Sequence, residues 1–166
     1  TYSELTVEVE RVAAGLRALG IGKGDCLTIY MPTIPEAIMA MLATIRIGAI
    51  HSVVFAGFGA GALAERIKAS DSRIVLTADI GYRKGTEVQL KEIVDSAMEM
   101  GGENVEHVVV LGRGDDSPVA SDRELDWDEF IAQGEGHDGS HVSMESNEPA
   151  YILATSGTTA KPKLTI

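Results

Sequence analysis

Hydrophobic residues near the start of the chain recur at the spacing of an amphipathic helix. Leucine or valine occupies positions 5, 9, 12, 16 and 19, at intervals of three and four residues, so these side chains share one face of an α-helix. Ser3 is a candidate N-cap, and Gly20 suits the end of such a helix. The pattern predicts a helix that buries one face and begins near residue 3.

Short apolar segments then alternate with helical segments. Strands rich in valine and isoleucine are predicted at residues 26–31, 50–55, 73–77, 107–111 and 151–154. Helices are predicted from Pro35 to about residue 45, at 63–69 and at 87–100, and the first of these is apolar nearly all round, which predicts a buried helix. Strands that are each followed by a helix indicate an α/β fold, with a mostly parallel sheet flanked by helices on both faces.

Residues 112–149 interrupt the alternation with glycine, serine and acidic residues. We expect a solvated acidic excursion, in which Leu125, Trp127, Phe130 and Ile131 could form one short docked helix. The net charge of −11 is concentrated in residues 101–148, which carry 13 acids and 2 bases, while the rest of the chain carries 12 of each. Such acidity argues against a nucleic-acid partner and against an anionic membrane surface.

Cys26 is the only cysteine. A disulfide within the chain and a thiolate metal site are therefore excluded, which fits a reducing, cytoplasmic compartment. The longest uncharged stretch, residues 47–64, contains a histidine and four glycines, so no transmembrane segment is predicted. The sequence lacks an initiator methionine and stops just after its most distinctive motif. We therefore expect residues 1–166 to be a partial N-terminal α/β domain of a longer protein, one that self-associates through exposed apolar surface when isolated.

That motif, T-S-G-T-T-A-K-P-K at residues 155–163, follows an apolar strand. Glycine lets the backbone approach a phosphate chain, hydroxyl groups donate hydrogen bonds to it, and lysines compensate its charge. It is not a Walker loop, because the spacing G-x-x-x-x-G-K-[ST] is absent and Pro162 prevents a helix from starting directly after Lys161. The sequence therefore predicts a phosphate loop of another kind, or a flexible turn of the same composition.

The motif resembles the signature T-S-G-[ST]-T-G-x-P-K-G of the AMP-forming, adenylate-forming enzymes. The resemblance extends through residues 34–37, 46–49 and 51–58, which look most like the acetyl- and propionyl-CoA synthetases. It implies the flavodoxin-like first subdomain of the adenylate-forming fold. It also implies a ligase that converts a short carboxylate and ATP with Mg²⁺ to an acyl adenylate, and then transfers the acyl group to CoA. The catalytic lysine and the Mg²⁺ ligand of that family would lie outside these residues, so no catalytic or metal residue is assigned here.

Two groups of site residues follow from the resemblance. The CoA group comprises a turn at Phe55, Ala56 and Gly57 together with Arg83, although Arg83 and Lys84 also fit a solvated basic pair. Ala56 and Thr86 depart from the family pattern at this site. Ala160 and Leu164 replace two glycines of the phosphate loop. The residues that would hold the ATP phosphates are Thr155, Ser156, Gly157, Thr158, Thr159, Lys161 and Lys163.

Two alternatives remain open from the sequence. Gly57, Gly59 and Ala62 fit G-x-G-x-x-A between a strand and a helix, and Asp79 lies where a dinucleotide fold carries its ribose-binding acid. Against this, at least one predicted strand precedes that turn. The second alternative is an α/β scaffold without chemistry of its own.

The four histidines do not suggest a metal site. His137 and His141 are four residues apart, but glycine and serine between them break any helix that would align them. His51 and His107 fall in predicted strands, where hydrogen-bonded structural histidines are expected.

Overall fold

The computed structural model describes residues 1–114, 119, 121–155 and 163–165, the last range without the side chains of Lys163 and Leu164. Its helices are α1 (Tyr2–Ala18), α2 (Pro35–Arg46), α3 (Ala60–Ser70), α4 (Leu90–Gly101) and α5 (Trp127–Gln133). Its strands are β1 (Cys26–Tyr30), β2 (Ile50–Val53), β3 (Ile74–Ala78), β4 (Ile80–Arg83), β5 (Thr86–Gln89), β6 (His107–Leu111), β7 (Glu124–Asp126), β8 (Tyr151–Thr155) and β9 (Lys163–Thr165).

The described residues form one seven-stranded sheet in the order β7-β6-β3-β1-β2-β8-β9 and a separate two-stranded hairpin of β4 and β5. Neighbouring strands from β7 to β8 are parallel, and only β9 runs antiparallel. The order β2-β1-β3-β6-β7 is that of a flavodoxin-like, doubly wound sheet. In such a sheet the strands that follow β2 are added on the other side of β1, so the strand order reverses between β1 and β3. The predicted fold class is confirmed.

Helices cover both faces of the sheet. Alternate residues of each strand point to opposite sides, and in the central strands the side chains on both sides are buried. Leu27 and Ile29 of β1 pack in one core with α1, α2 and α5. Tyr30 of β1 and Val75 of β3 pack in a second core with α3 and α4. The central strands β1 and β3 are buried along their whole length, which explains why the sequence shows them as continuous apolar runs.

Several local predictions require correction. The N-cap of α1 is Thr1 rather than Ser3, and it forms a capping box with Glu4. Helix α4 begins at Leu90, not at residue 87, because the preceding residues form the hairpin that the pattern did not reveal. Helix α2 is not buried on all sides. Three of its apolar side chains are 39–44% exposed, namely Ile38, Leu42 and Ile45.

The described residues of the segment 112–149 contribute two elements of secondary structure. As predicted, the segment contains one short docked helix, α5, in which Phe130 is fully buried and Trp127 packs against it. It also contributes β7, which pairs with β6 and extends the sheet. Within the described ranges, no helix combines the length and the apolar character needed to cross a membrane.

Candidate functional site

The loops at the switch point of the sheet enclose the candidate site. Parallel α/β sheets bind ligands outside the carboxyl ends of their strands, where the strand order reverses. In this chain that edge carries the segment after β1, the turn after β2 and the β4–β5 hairpin after β3. These three segments line a cavity of about 120 Å³, whose walls include Pro32, Thr33, Phe55, Ala56, Gly57 and Arg83.

The structure thus brings together all four residues that the resemblance assigned to CoA. Phe55, Ala56 and Gly57 come from the turn after β2, and Arg83 comes from the end of β4, 26 residues further along the chain. The guanidinium carbon of Arg83 lies 5.8 Å from the centre of the Phe55 ring. Both side chains are exposed to solvent, so they can reach a ligand that lies over the cavity.

A buried anchor holds the turn after β2. The hydroxyl of Tyr30, at the end of β1, donates a 2.6 Å hydrogen bond to the carbonyl oxygen of Phe58. Burial raises the pKa of Tyr30, which keeps this donor protonated. Arg66 of α3 covers the Phe58 ring at 4.4 Å. A Cβ atom at Gly57 would overlap the Phe55 ring, so glycine is needed for the aromatic side chain to fold over the turn.

Arg83 occupies one end of a two-residue hairpin turn. It pairs with Thr86, and the two residues between them, Lys84 and Gly85, have φ angles of 52° and 78°. Positive φ at both central residues is the requirement of a type I′ turn, which matches the twist of the flanking strands. The tip therefore presents the two cations Arg83 and Lys84 side by side, while the nearby carboxylate of Glu87 accepts a hydrogen bond from Gln89.

The dinucleotide alternative is not supported by this geometry. The turn carrying Gly57 follows β2, and β1 separates β2 from β3, so Asp79 at the end of β3 does not follow the neighbouring strand as that fold requires. The Asp79 carboxylate is also engaged, since it accepts hydrogen bonds from the backbone N–H groups of Ile80, Arg113 and Gly114. Gly59 is the N-cap residue of α3, and Ala62 lies within that helix.

The predicted phosphate loop follows β8, whose carboxyl end lies at the same edge of the sheet. Thr155 ends β8, which is parallel to β2, so the loop after β8 and the turn after β2 emerge from neighbouring strands. Thr155 pairs with Lys163 at the start of the antiparallel β9. The predicted phosphate-binding residues Ser156, Gly157, Thr158, Thr159 and Lys161, like the substituted Ala160, lie outside the described residues, as do the side chains of Lys163 and Leu164. Their predicted roles remain predictions.

His51, His107 and Cys26 lie in strands of the sheet. His51 is buried and stacks on Tyr151, with ring centres 5.9 Å apart, and burial lowers its pKa, which favours the neutral ring. The expectation of full hydrogen bonding is wrong, because Nδ1 of His51 and Nδ1 of His107 are buried without a partner among the described residues. Cys26 is a buried free thiol whose pKa is raised to about 11 by burial, so it is a poor nucleophile.

Sequence reasoning missed two features of this edge. The sequence did not reveal the hairpin because its strands are only four residues long and β5 is mostly exposed. The lysine–glycine pair at its tip is the signal that could have indicated it. Tyr82, which also lines the cavity, was not singled out. Its ring lies 5.8 Å from the guanidinium carbon of Arg113, a residue of the loop after β6.

The chain resembles known proteins in sequence and in structure. The sequence matches the family described as "AMP-binding enzyme" over residues 1–166. It is 48% identical to a 3-hydroxypropionyl-coenzyme A synthetase of Metallosphaera sedula and 48% identical to an acetyl-coenzyme A synthetase of Streptomyces coelicolor, in each case over 98% of this chain and 25% of the relative. The structure resembles the acetoacetyl-CoA synthetase from Streptomyces lividans, with a TM-score of 0.85 and 29% identity over 99% of this chain and 25% of that one. The chain thus spans about a quarter of the length of these relatives.

Proposed function

We propose, from the premise that this chain belongs to the AMP-binding enzyme family, that it is part of the N-terminal domain of an AMP-forming acyl-CoA synthetase. The substrate would be a short carboxylate, acetate or propionate, and ATP and CoA would be the co-substrates. The names of the acetyl- and 3-hydroxypropionyl-coenzyme A synthetases that it resembles support a short acyl chain. The buried, unpaired thiol of Cys26 supports a reducing, cytoplasmic location.

One observation carries the proposal. Phe55, Ala56, Gly57 and Arg83, from two separate segments, line one cavity at the switch point of the sheet. The predicted phosphate loop follows β8, which is the neighbour of β2, the strand that precedes the Phe55–Gly57 turn. Two elements predicted to recognise nucleotides, placed at one edge, suit an enzyme that uses two nucleotide-containing substrates in successive steps.

The proposed reaction has two halves. In the first, a carboxylate oxygen attacks the α-phosphorus of ATP, and the bond to the bridging oxygen of pyrophosphate breaks, which gives acyl adenylate and pyrophosphate. In the second, the sulfur of CoA attacks the acyl carbon, and the bond to the AMP oxygen breaks, so that the thioester and AMP form and the thiol proton is released. Activating the carboxylate as a mixed anhydride provides a good leaving group for the thiol.

The residues of this chain would contribute positioning and charge. The predicted phosphate loop, residues 155–163, would hold the β- and γ-phosphates of ATP. It would also stabilise the negative charge that grows on the departing pyrophosphate. Arg83 would contact a phosphate of CoA, and the Phe55–Gly57 turn would pack against its nucleotide end. Within the described residues, no group of three histidine, cysteine or carboxylate side chains could hold a metal ion.

The test is to identify the nucleotide product of the full-length synthetase. With ATP, acetate or propionate, and CoA, we expect AMP and pyrophosphate, and carboxylate-dependent exchange of labelled pyrophosphate into ATP without CoA. Formation of ADP and phosphate would contradict the proposal. The isolated 166-residue chain serves as the control, because we expect it to catalyse neither half-reaction.

A further inference from the structure

Asp79 joins three elements at the edge where Arg83 is displayed. Its carboxylate accepts hydrogen bonds from the N–H groups of Ile80 at 2.6 Å, Arg113 at 2.8 Å and Gly114 at 2.8 Å. Its own N–H donates to the carbonyl of Leu111, and its carbonyl accepts from the N–H of Lys91. The end of β3, the loop after β6 and the start of α4 are thereby fixed to one residue.

Arg113 completes the connection from the other side. Its guanidinium donates a 3.1 Å hydrogen bond to the carbonyl of Ile80 and lies 5.8 Å from the ring of Tyr82. Gly114 allows this close approach, because a Cβ atom there would lie only 3.2 Å from the Asp79 carboxylate. The loop after β6 is therefore tied to Ile80 and Tyr82 of β4.

These contacts act at the base of the hairpin, where the buried Ile80 and the partly buried Val88 also pack against the rest of the chain. Beyond the base, Tyr82 and Arg83 are exposed. Strands β4 and β5 pair only with each other, and an isolated two-stranded ribbon is at best marginally stable. The side chain of Arg83, at the far end of β4, makes no hydrogen bond or ion pair with the residues that the structure describes, and its guanidinium carbon lies 5.8 Å from the centre of the Phe55 ring. The direction of its side chain is consequently set by the base of the hairpin.

We propose that Asp79 and Arg113 are positioning residues for CoA, acting through Arg83 by fixing the angle of the β4–β5 hairpin. The inference rests on the proposed function. Loss of either contact would let the hairpin pivot and would spread Arg83 over many positions, so that the phosphate of CoA is bound with a larger entropic cost. The adenylation half-reaction does not use the hairpin and would be spared.

The experiment measures both half-reactions in the full-length synthetase. We expect Asp79→Asn, which places an amide where Gly114 needs an acceptor, and Arg113→Ala each to raise the KM for CoA about three- to tenfold, with pyrophosphate exchange changed less than twofold. Matched controls are Asp122→Asn and Arg123→Ala, exposed residues of the connection before β7, which should leave both measurements unchanged. Equal loss in the two half-reactions would indicate a merely structural role and overturn the proposal.

The double variant Asp79→Asn/Arg83→Ala separates this inference from the proposed function. If Asp79 acts through Arg83, the double variant has the CoA KM of Arg83→Ala alone, whereas multiplied effects would refute such coupling. If Arg83→Ala itself leaves the CoA KM unchanged, the CoA assignment fails as well. Should Asp79→Asn not fold, Gly114→Ala replaces it, since it displaces the same carboxylate. A wild-type CoA KM in both Gly114→Ala and Arg113→Ala overturns the inference.

Discussion

The two flanks of the sheet differ in how far their side chains are buried. At the β7 flank, α5 covers the sheet, Phe130 is fully buried, and the amine of Lys91 lies between the carboxylates of Asp95 and Glu124. At the opposite flank, formed by β8 and β9, Tyr151 and Leu153 of β8 remain 48% and 53% exposed, and we call this the open flank. The difference shows which part of the edge is supported by this chain alone. The residues proposed to bind CoA lie over the supported centre, whereas the predicted phosphate loop follows β8 at the open flank.

The largest effect should follow from damaging the closed flank. Phe130→Ala removes a fully buried ring, and substitutions of this kind cost about 3 to 5 kcal/mol of folding free energy. Leu153→Ala, on the half-exposed strand β8, should cost less than about 1 kcal/mol because most of that side chain is already in water. Urea unfolding of the isolated chain, monitored by circular dichroism, gives both values. Equal costs would show that the flanks do not differ as described.

A large kinetic effect should follow from the phosphate loop on the open flank. We expect Lys163→Ala to lower the rate of adenylation in the full-length synthetase about 100- to 1,000-fold, the usual cost of removing one electrostatic contact to developing charge. The KM for the carboxylate should change little, because that contact is to pyrophosphate. Pyrophosphate exchange measures the rate. Lys68→Ala, an exposed lysine of α3, is the control, and a defect limited to the carboxylate KM would refute the assignment.

A smaller effect is expected at the supported centre. Arg83→Ala should raise the KM for CoA about tenfold, because an exposed, charge-assisted hydrogen bond to phosphate contributes about 1 to 3 kcal/mol and is partly screened by salt. Pyrophosphate exchange should be unaffected, and Arg123→Ala should behave as the wild type. Dephospho-CoA sharpens the test, since loss of the 3′-phosphate should weaken binding to the wild type but not to the variant. The same loss in both proteins would make Arg83 an ordinary surface charge.

These two sites also explain what sequence reasoning achieves here. The predicted phosphate loop is local: its hydroxyls, glycine and lysines lie within nine consecutive residues, so the motif alone was enough to suggest it. The proposed CoA site depends on topology, because Phe55 and Arg83 are brought together by the arrangement in which β1 lies between β2 and β3. Resemblance to a family supplied these residues, and the spacing of the residues alone would not have done so.

The fold shows the same division. Continuous burial made β1, β3 and β6 evident from composition, while β7 has only three residues and the hairpin strands four, too few for a period to emerge. The expectation for α2 failed for a different reason. The apolar sequence of α2 predicts a helix that is buried within this chain, but Ile38, Leu42 and Ile45 are partly exposed. The hydrophobicity of a helix does not show which part of a protein covers it.

The open flank also predicts self-association of the isolated chain. Apolar side chains exposed on α2 and β8 form surfaces that favour contact between copies. We expect sedimentation velocity at about 100 μM to show species larger than the monomer, and Leu42→Ser/Leu153→Ser to shift the population towards monomer. Val7→Ser/Met100→Ser, at exposed apolar positions of α1 and α4, is the matched control. A monomeric wild-type chain would indicate that the open flank is tolerated in water.

The smallest effect is expected within the phosphate loop itself, at the position where alanine replaces the glycine of the family pattern. Glycine adopts left-handed backbone conformations readily, whereas a residue with a Cβ atom pays about 1 kcal/mol or more to do so. If the ATP-bound loop requires such a conformation at residue 160, Ala160→Gly should improve kcat/KM for ATP by about five- to tenfold in the adenylation half-reaction. Thioester formation from preformed acyl adenylate and CoA should be unchanged, because it does not use the β- and γ-phosphates. Unchanged ATP kinetics would mean that the loop binds ATP with a right-handed or extended backbone at this residue, which alanine accommodates without cost. An equal gain in both half-reactions would instead indicate a general effect on the open flank.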